Sequence, residues 1–168
     1  MTTIRTALPG EAPVITAIIN RAYRVEDFFK IGDRTDEPEV RRYMAADMFL
    51  VAEDNSGRIV GSVRVSGHDG QGHFGLLAVE PDQQGSGLGR RLIDAAEAWA
   101  RERGCTSMWL EAVNLREELP PYYRRLGYEI SGTQPWPEDS LERISRPAHF
   151  IIMNKQLAAA APAGEARR

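Results

Sequence analysis

"DQQGSGLGRR", residues Asp82–Arg91, places glycines at 85, 87 and 89, directly behind an apolar run and ahead of a helical pattern. Glycine weakens a helix, so this spacing at a helix start has a reason. One reading is a tight turn. The other is an anion site, because a helix N-terminus offers unsatisfied N–H donors and the positive end of the macrodipole. Residues without a Cβ also let successive amides approach a phosphate, and Arg90 and Arg91 add charge beside them. A nucleotide P-loop, GxxxxGK[ST], needs a lysine that the stretch lacks. A dinucleotide fingerprint needs GxGxxG, whereas this loop reads GxGxG and its strand does not open a βαβ unit near the N-terminus.

Around the loop the periodicity is clear. Ile4 to Ala7 reads as a short strand, and Val14, Ile15, Ile18, Ile19 and Ala22 recur at helical spacing between Gly10 and Arg24. Gly32 and Pro38 break the pattern, and a second helix follows from Pro38 to Ala46. "MFLVAED" and "RIVGSVRVS", joined by "NSG", predict a hairpin. "DGQG" predicts a further turn, and "HFGLLAVEP" a strand ending near Pro81. Gly87 to Arg103 is a helix that Gly104 stops, with Leu88, Leu92, Ala95, Ala96 and Trp99 on one face. "TSMWLEAV", a short helix from Pro120 to Leu126, "YEIS" and "AHFIIMNKQL" complete the order β-α-α-β-β-β-α-β-α-β-β. This order predicts one α/β domain over residues 1–157, with a mixed sheet flanked by helices. Residues 158–168, "AAAAPAGEARR", lack apolar periodicity and predict a disordered tail.

Composition narrows the partners. The 168 residues are 42% hydrophobic and 27% charged with net charge −3, so a nucleic-acid surface is not expected. No apolar run approaches the roughly 20 residues of a membrane span. A lone cysteine, Cys105, fits a reducing compartment, and "MTTIRTALPGEAP" has no leader pattern, so a cytoplasmic location is expected. The few histidines show no ligand spacing, so no metal is expected. Of the basic residues, only Lys30 and Lys155 are lysines.

Gln84-Gly85-Ser86-Gly87-Leu88-Gly89 resembles the (Q/R)xxGx(G/A) signature of the GNAT superfamily of acetyl-CoA-dependent N-acetyltransferases. The likeness continues through "LLAVEPDQQGSGLGRRLIDAAEAWARERG", "MWLEAVN" and "PYYRRLGY" in the family's order, closely from about Gly72 to Gly132. It implies a GNAT-type, mostly antiparallel central sheet with splayed central strands. It also implies acetyl-CoA as co-substrate, with the pantetheine arm along the backbone of Leu77, Ala78 and Val79. The pyrophosphate would meet the amides of the loop, Gln84, Gly85, Ser86, Gly87, Leu88, Gly89 and Arg90. Asn114 falls where the family often contacts cofactor or substrate, against the ordinary use of Asn at a strand end.

By the same resemblance Tyr123, in "PYYRRLGY", corresponds to the tyrosine near the cofactor sulfur. A phenol of pKa about 10 can protonate a departing thiolate at neutral pH. Tyr122 reads as core packing. The segment "NLREELPPYY" is a couple of residues longer than the commonest family form, and Pro120-Pro121 suits a helix start.

Some family members place a glutamate base on the strand before the loop, and His73 stands there. Period-two alternation sets His73, Gly75, Leu77 and Val79 on one face. Glu111 is the second candidate, and a reaction with no dedicated base is the third. The acceptor wall would be "RAYRVEDFFKIGDRTDEP", with Phe28 and Phe29 as apolar contacts and Arg34 as a carboxylate partner. The implied function is acetyl transfer to a primary amine on a small molecule or peptide. A non-catalytic acyl-CoA-binding module is the alternative, and a homodimer stays open because family members commonly dimerise.

Overall fold

A seven-stranded sheet forms the centre of the computed structural model, which describes residues 1–159. From residue 160 onward the expected tail lies outside the described residues. β1 (Thr3–Thr6) leads through a 3-10 turn into α1 (Ala12–Ala22), and α2 (Glu37–Ala46) comes after a long connection. Asp36 caps α2, its carboxylate accepting from the Glu39 amide at 2.8 Å. β2 (Met48–Glu53), β3 (Ile59–His68) and β4 (Gln71–Val79) form an antiparallel meander. Asp69 and Gly70, both at positive φ, make the two-residue turn between β3 and β4. Then come α3 (Leu88–Glu102), β5 (Ser107–Val113), α4 (Leu119–Arg125), β6 (Glu129–Pro135) and β7 (His149–Gln156).

The strand order is β1-β2-β3-β4-β5-β7-β6, and only the β4–β5 pair is parallel. Each face of the sheet has its own apolar core. Leu92, Ile93 and Ala96 of α3 pack with Phe74, Met108 and Leu110 on one face, together with Tyr123 and Tyr128. Ile15, Ile18 and Ile19 of α1 and Val40 of α2 pack with Val51, Leu76 and Ala78 on the other. Two layers of helix therefore enclose one sheet, the arrangement that the alternating elements predict.

The strand order matters most at its centre. β4 and β5 pair only at Gln71–Ser107, Gly72–Met108 and His73–Trp109, and past those positions no pairing joins them. A Cβ on Gly72 would lie 2.6 Å from Met108 Sδ and 2.9 Å from Ala100 Cβ, so the close start of the pair needs glycine there. Gly72→Ala is expected to destabilise the fold by about 1–3 kcal/mol through overpacking, read as a lower midpoint in urea unfolding.

Beyond His73 the two strands diverge, and a bulge contributes to the divergence. Ser62 pairs with Ala78 and Arg64 with Gly75, so Val63 stands opposite both Leu76 and Leu77. Leu76 takes a φ of 50°, unusual for a bulky side chain, and is held there by burial in the core under α1. A bulge adds twist and turns the side chains beyond it in a new direction.

The bulge also corrects the predicted alternation. His73 and Gly75 lie on the α1–α2 face, opposite Phe74, while Leu77 and Val79 pack on the α3–α4 face. An inserted residue shifts the period-two phase by one, so the four residues do not share a side.

Candidate active site

The divergence of β4 and β5 opens into a cleft of about 930 Å³ that runs from the glycine loop to the α1–α2 connection. At one end, Gly85 and Gly87 adopt φ of 81° and 82°, and a Cβ on either would project into open space. Gly87 is also the N-cap of α3. No backbone amide from Gly85 through Arg90 has an intramolecular acceptor among the described residues. A run of donors without partners at the start of a long helix suits an anion with several oxygens.

Gln84, Gly85, Gly87, Leu88, Gly89 and Arg90 line this end. Ser86 does not, and its Oγ instead donates to the Gln83 carbonyl at 2.6 Å. Gln84 Nε2 donates to the Val79 carbonyl at 3.2 Å, which ties the loop to the end of β4. Leu77 and Val79 line the walls, whereas the Ala78 side chain is buried under α1. Tyr122 lines the cleft as well as packing on the core, and a Cβ on Gly89 would lie 3.6 Å from its hydroxyl.

In the middle of the cleft lies Tyr123, held by α4. That helix starts on Pro120 and Pro121 as expected and stops before Gly127, whose φ is 96°. The Tyr123 ring is 8% exposed and sits edge-on to Phe74 and Tyr128 at centroid distances of 6.0 and 6.1 Å. Its hydroxyl has no hydrogen-bond partner among the described residues, and the residue lines the cleft. Burial, and then the nearby Tyr23, push its phenol above the usual value. The group therefore stays protonated throughout the neutral range.

Across the divergence, Glu111 on β5 faces the cleft, with His73 of β4 beside it. The His73 Nε2–H donates to Glu111 Oε2 at 2.7 Å, and the imidazole packs on the Trp109 ring at 4.3 Å. His73 itself does not line the cleft. By sequence the two are rival bases; the last paired positions of β4 and β5 bring them into contact.

The α1–α2 connection and the segment before β7 close the other end. α1 ends at Ala22, earlier than the predicted Arg24, and Tyr23 begins a 3-10 turn whose ring forms part of the wall. Burial raises the Tyr23 phenol, on which the charges of Arg34, Glu26, Arg116 and Glu111 all act. Glu26, 6% exposed, pairs with Arg116 at 3.5 Å, and burial pushes its carboxyl up while Arg116 opposes the change. Trp136 and Phe150 stack at 5.0 Å and complete an aromatic side.

Three of the expected contact residues lie away from the cleft. Phe29 is fully buried, edge-on to Trp136, and supports the wall without lining it. Phe28 is turned outward beneath Arg146. Asn114 is engaged in the sheet, its Oδ1 accepting from the His149 amide at 2.8 Å. That bond closes the β5–β7 ladder and takes the side chain away from the cleft. Arg34 does line the cleft, over the Tyr23 ring at 5.3 Å.

The expected acceptor wall contains Tyr23, Glu26 and Lys30 without singling them out, and Arg116 and Trp136 are missed. Only Lys30 carries a signal, as one of two lysines in a chain whose other cations are arginines. Among the described residues, no helix is long and apolar enough to cross a membrane.

Comparison with known proteins agrees with the resemblance. The family model described as "Acetyltransferase (GNAT) family" matches residues 17–128. Over 104 residues, 56% of this chain, the sequence is 35% identical to the mycothiol acetyltransferase of Propionibacterium freudenreichii subsp. shermanii. The match spans 33% of that relative, about a third of its length. The crystal structure of the ribosomal-protein-S18-alanine N-acetyltransferase from Escherichia coli superposes with a TM-score of 0.76 at 19% identity, covering 97% of this chain and 98% of that one. A GNAT superfamily phosphinothricin acetyltransferase from Sinorhizobium meliloti, in complex with AcCoA, gives 0.74 at 17%, covering 99% and 95%. At such identities the likeness is one of fold.

Proposed function

The chain belongs to the GNAT acetyltransferase family, and we propose that it transfers acetyl from acetyl-CoA to a primary amine by direct attack in a ternary complex. The observation that carries this reading is the divergence of β4 from β5 after three paired positions, into a cleft that ends on the partnerless amides of the glycine loop.

The residues fit acetyl-CoA. The amides from Gly85 to Arg90, with the Arg90 side chain, would receive the pyrophosphate. The backbone along Leu77 and Val79 would pair with the pantetheine arm as a further strand would. Acetyl-CoA supplies an activated acyl group whose leaving group is a thiolate.

Glu111 takes a proton from the acceptor ammonium, leaving a neutral amine whose lone pair can attack. His73 holds the Glu111 carboxylate. With its Nε2 proton directed at Glu111, it has no lone pair on that nitrogen and acts as a positioning group. Backbone amides of β4 polarise the thioester carbonyl, the C–N bond forms, and the C–S bond breaks. Tyr123 then donates its proton to the departing sulfur, the new amide nitrogen releases its second proton, and exchange with solvent restores Tyr123 and Glu111, with one proton released overall. Holding amine and thioester together in one cleft supplies the proximity term.

The test is amine-dependent release of free CoA thiol across a panel of amines, amino acids and peptides, with Gly87→Val alongside. At a φ of 82°, valine adds strain of about 1–3 kcal/mol and a side chain in the path of the phosphates. We expect release with at least one acceptor class, and for Gly87→Val a KM for acetyl-CoA raised about tenfold or more. Saturable CoA binding with no release from any amine would instead support the non-catalytic module.

A further inference from the structure

The acceptor end of the cleft carries positive charge that the protein does not neutralise. Lys30 is 8% exposed and lines the cleft. Its Nζ donates to the Asp33 carbonyl at 3.1 Å, and no carboxylate lies within ion-pair distance of it among the described residues. Arg34 and Arg143 line the same end and likewise make no ion pair among the described residues.

The backbone holds these groups together. Lys30 bridges to Ile144, Ile31 N donates to the Arg143 carbonyl at 2.8 Å, and Ser145 N donates to the Phe29 carbonyl at 2.7 Å. The nearby carboxylates do not cancel the charge. Glu26 is paired with Arg116, and Glu39, which accepts from the Thr35 and Tyr43 hydroxyls, makes no ion pair with any of the three cations among the described residues. After burial, the largest influences on the Lys30 ammonium are repulsions from Arg34 and Arg143, which exceed the attractions of Glu26 and Glu39, and together they push it below its usual value.

A buried ammonium without an ion-pair partner is costly, and three cations facing one cleft suit a ligand anion. The cations and the Glu111 carboxylate line one and the same cleft, with the Arg34 guanidinium over the Tyr23 ring at 5.3 Å. That arrangement suits a molecule with an anion at one end and an amine at the other.

We infer that the acceptor is an amino acid or a similarly small carboxylate-bearing amine, whose carboxylate is received by Lys30, Arg34 and Arg143 while its amino group faces Glu111. The assignment of the amine end rests on the acetyl-transfer reading. The carboxylate end rests on the cations alone.

Binding of matched pairs decides it: phenylalanine, methionine and glycine against their primary amides, titrated calorimetrically into the protein saturated with CoA. The acids are expected to bind about ten- to a hundredfold more tightly than the amides, as for loss of a charge-assisted contact. In Lys30→Met and in Arg143→Gln that gap is expected to shrink to about threefold or less. Arg143 is exposed, so its variant tests the site even where loss of the buried lysine disturbs folding. Equal affinity for acid and amide in the wild type overturns the proposal, and so does a gap that survives both substitutions. Thiol release in the same samples separates the two readings. Acid-selective binding without release removes the transfer reading and leaves the carboxylate site standing, whereas equal release from acids and amides does the reverse.

Discussion

Tyr123→Phe is expected to lower kcat by about 10²- to 10⁴-fold, the usual range for a lost general acid, with the affinity for CoA nearly unchanged. The expectation depends on how isolated the hydroxyl is. It has no hydrogen-bond partner among the described residues, while the ring is wedged edge-on against Phe74, Tyr122 and Tyr128. Phenylalanine keeps that packing and leaves no buried partner unsatisfied, so the fold should lose little stability. Burial disfavours the phenolate, and a thiolate leaving group in the same cleft is disfavoured in the same direction. A proton therefore passes between two groups that the environment shifts in the same direction.

The sign of the pH dependence comes from the same group. The acid is active when protonated, and burial raises its pKa above the ordinary phenol value of about 10. Tyr123 should therefore impose no alkaline fall in rate below about pH 10. Stopped-flow acyl transfer at saturating acetyl-CoA, compared with CoA titration, separates turnover from affinity. Full turnover in the variant removes Tyr123 as the acid.

The second large effect is expected for Glu111→Gln, a fall in kcat of about 10²-fold or more, again with CoA affinity preserved. Glutamine has the size of glutamate and can still accept from His73 Nε2, so the contact between β4 and β5 survives. It cannot hold the proton of an ammonium. His73→Ala, by contrast, leaves the carboxylate in place without its orienting bond and is expected to cost less, about tenfold. Rates for the two variants on a common acceptor check the order. If His73→Ala costs more than Glu111→Gln, the two roles are exchanged. If neither changes kcat, no dedicated base operates.

Much of the architecture is legible in the chain because it depends on short-range rules. Apolar spacing from Val14 to Ala22 and from Leu88 to Trp99 marks helices whatever packs on them, and turn residues mark the hairpins. The glycine loop is legible for the same reason. Positive φ at Gly85 and Gly87 is a local requirement, and only glycine meets it freely. Tyr123 is found from its place in a motif, and its helix forms despite the longer segment ahead because the prolines occupy the first turn.

Other features need long-range pairing and cannot be read locally. Nothing in "HFGLLAVEP" announces that Val63 faces two residues of β4, yet that single extra residue moves Leu77 and Val79 to the face opposite His73. The meeting of His73 with Glu111 comes from one register between parallel strands, across 38 residues of chain. Phe29 and Lys30 are neighbours with opposite fates, and which of them faces the cleft depends on a bridge to Ile144.

The sequence alone thus determined the elements, the family they resemble and the loop that would hold the phosphates, since each depends on local backbone geometry and periodicity. Only the tertiary structure decided which side chains share the cleft, because a bulge and a strand register set by distant residues determine the direction in which every later side chain points.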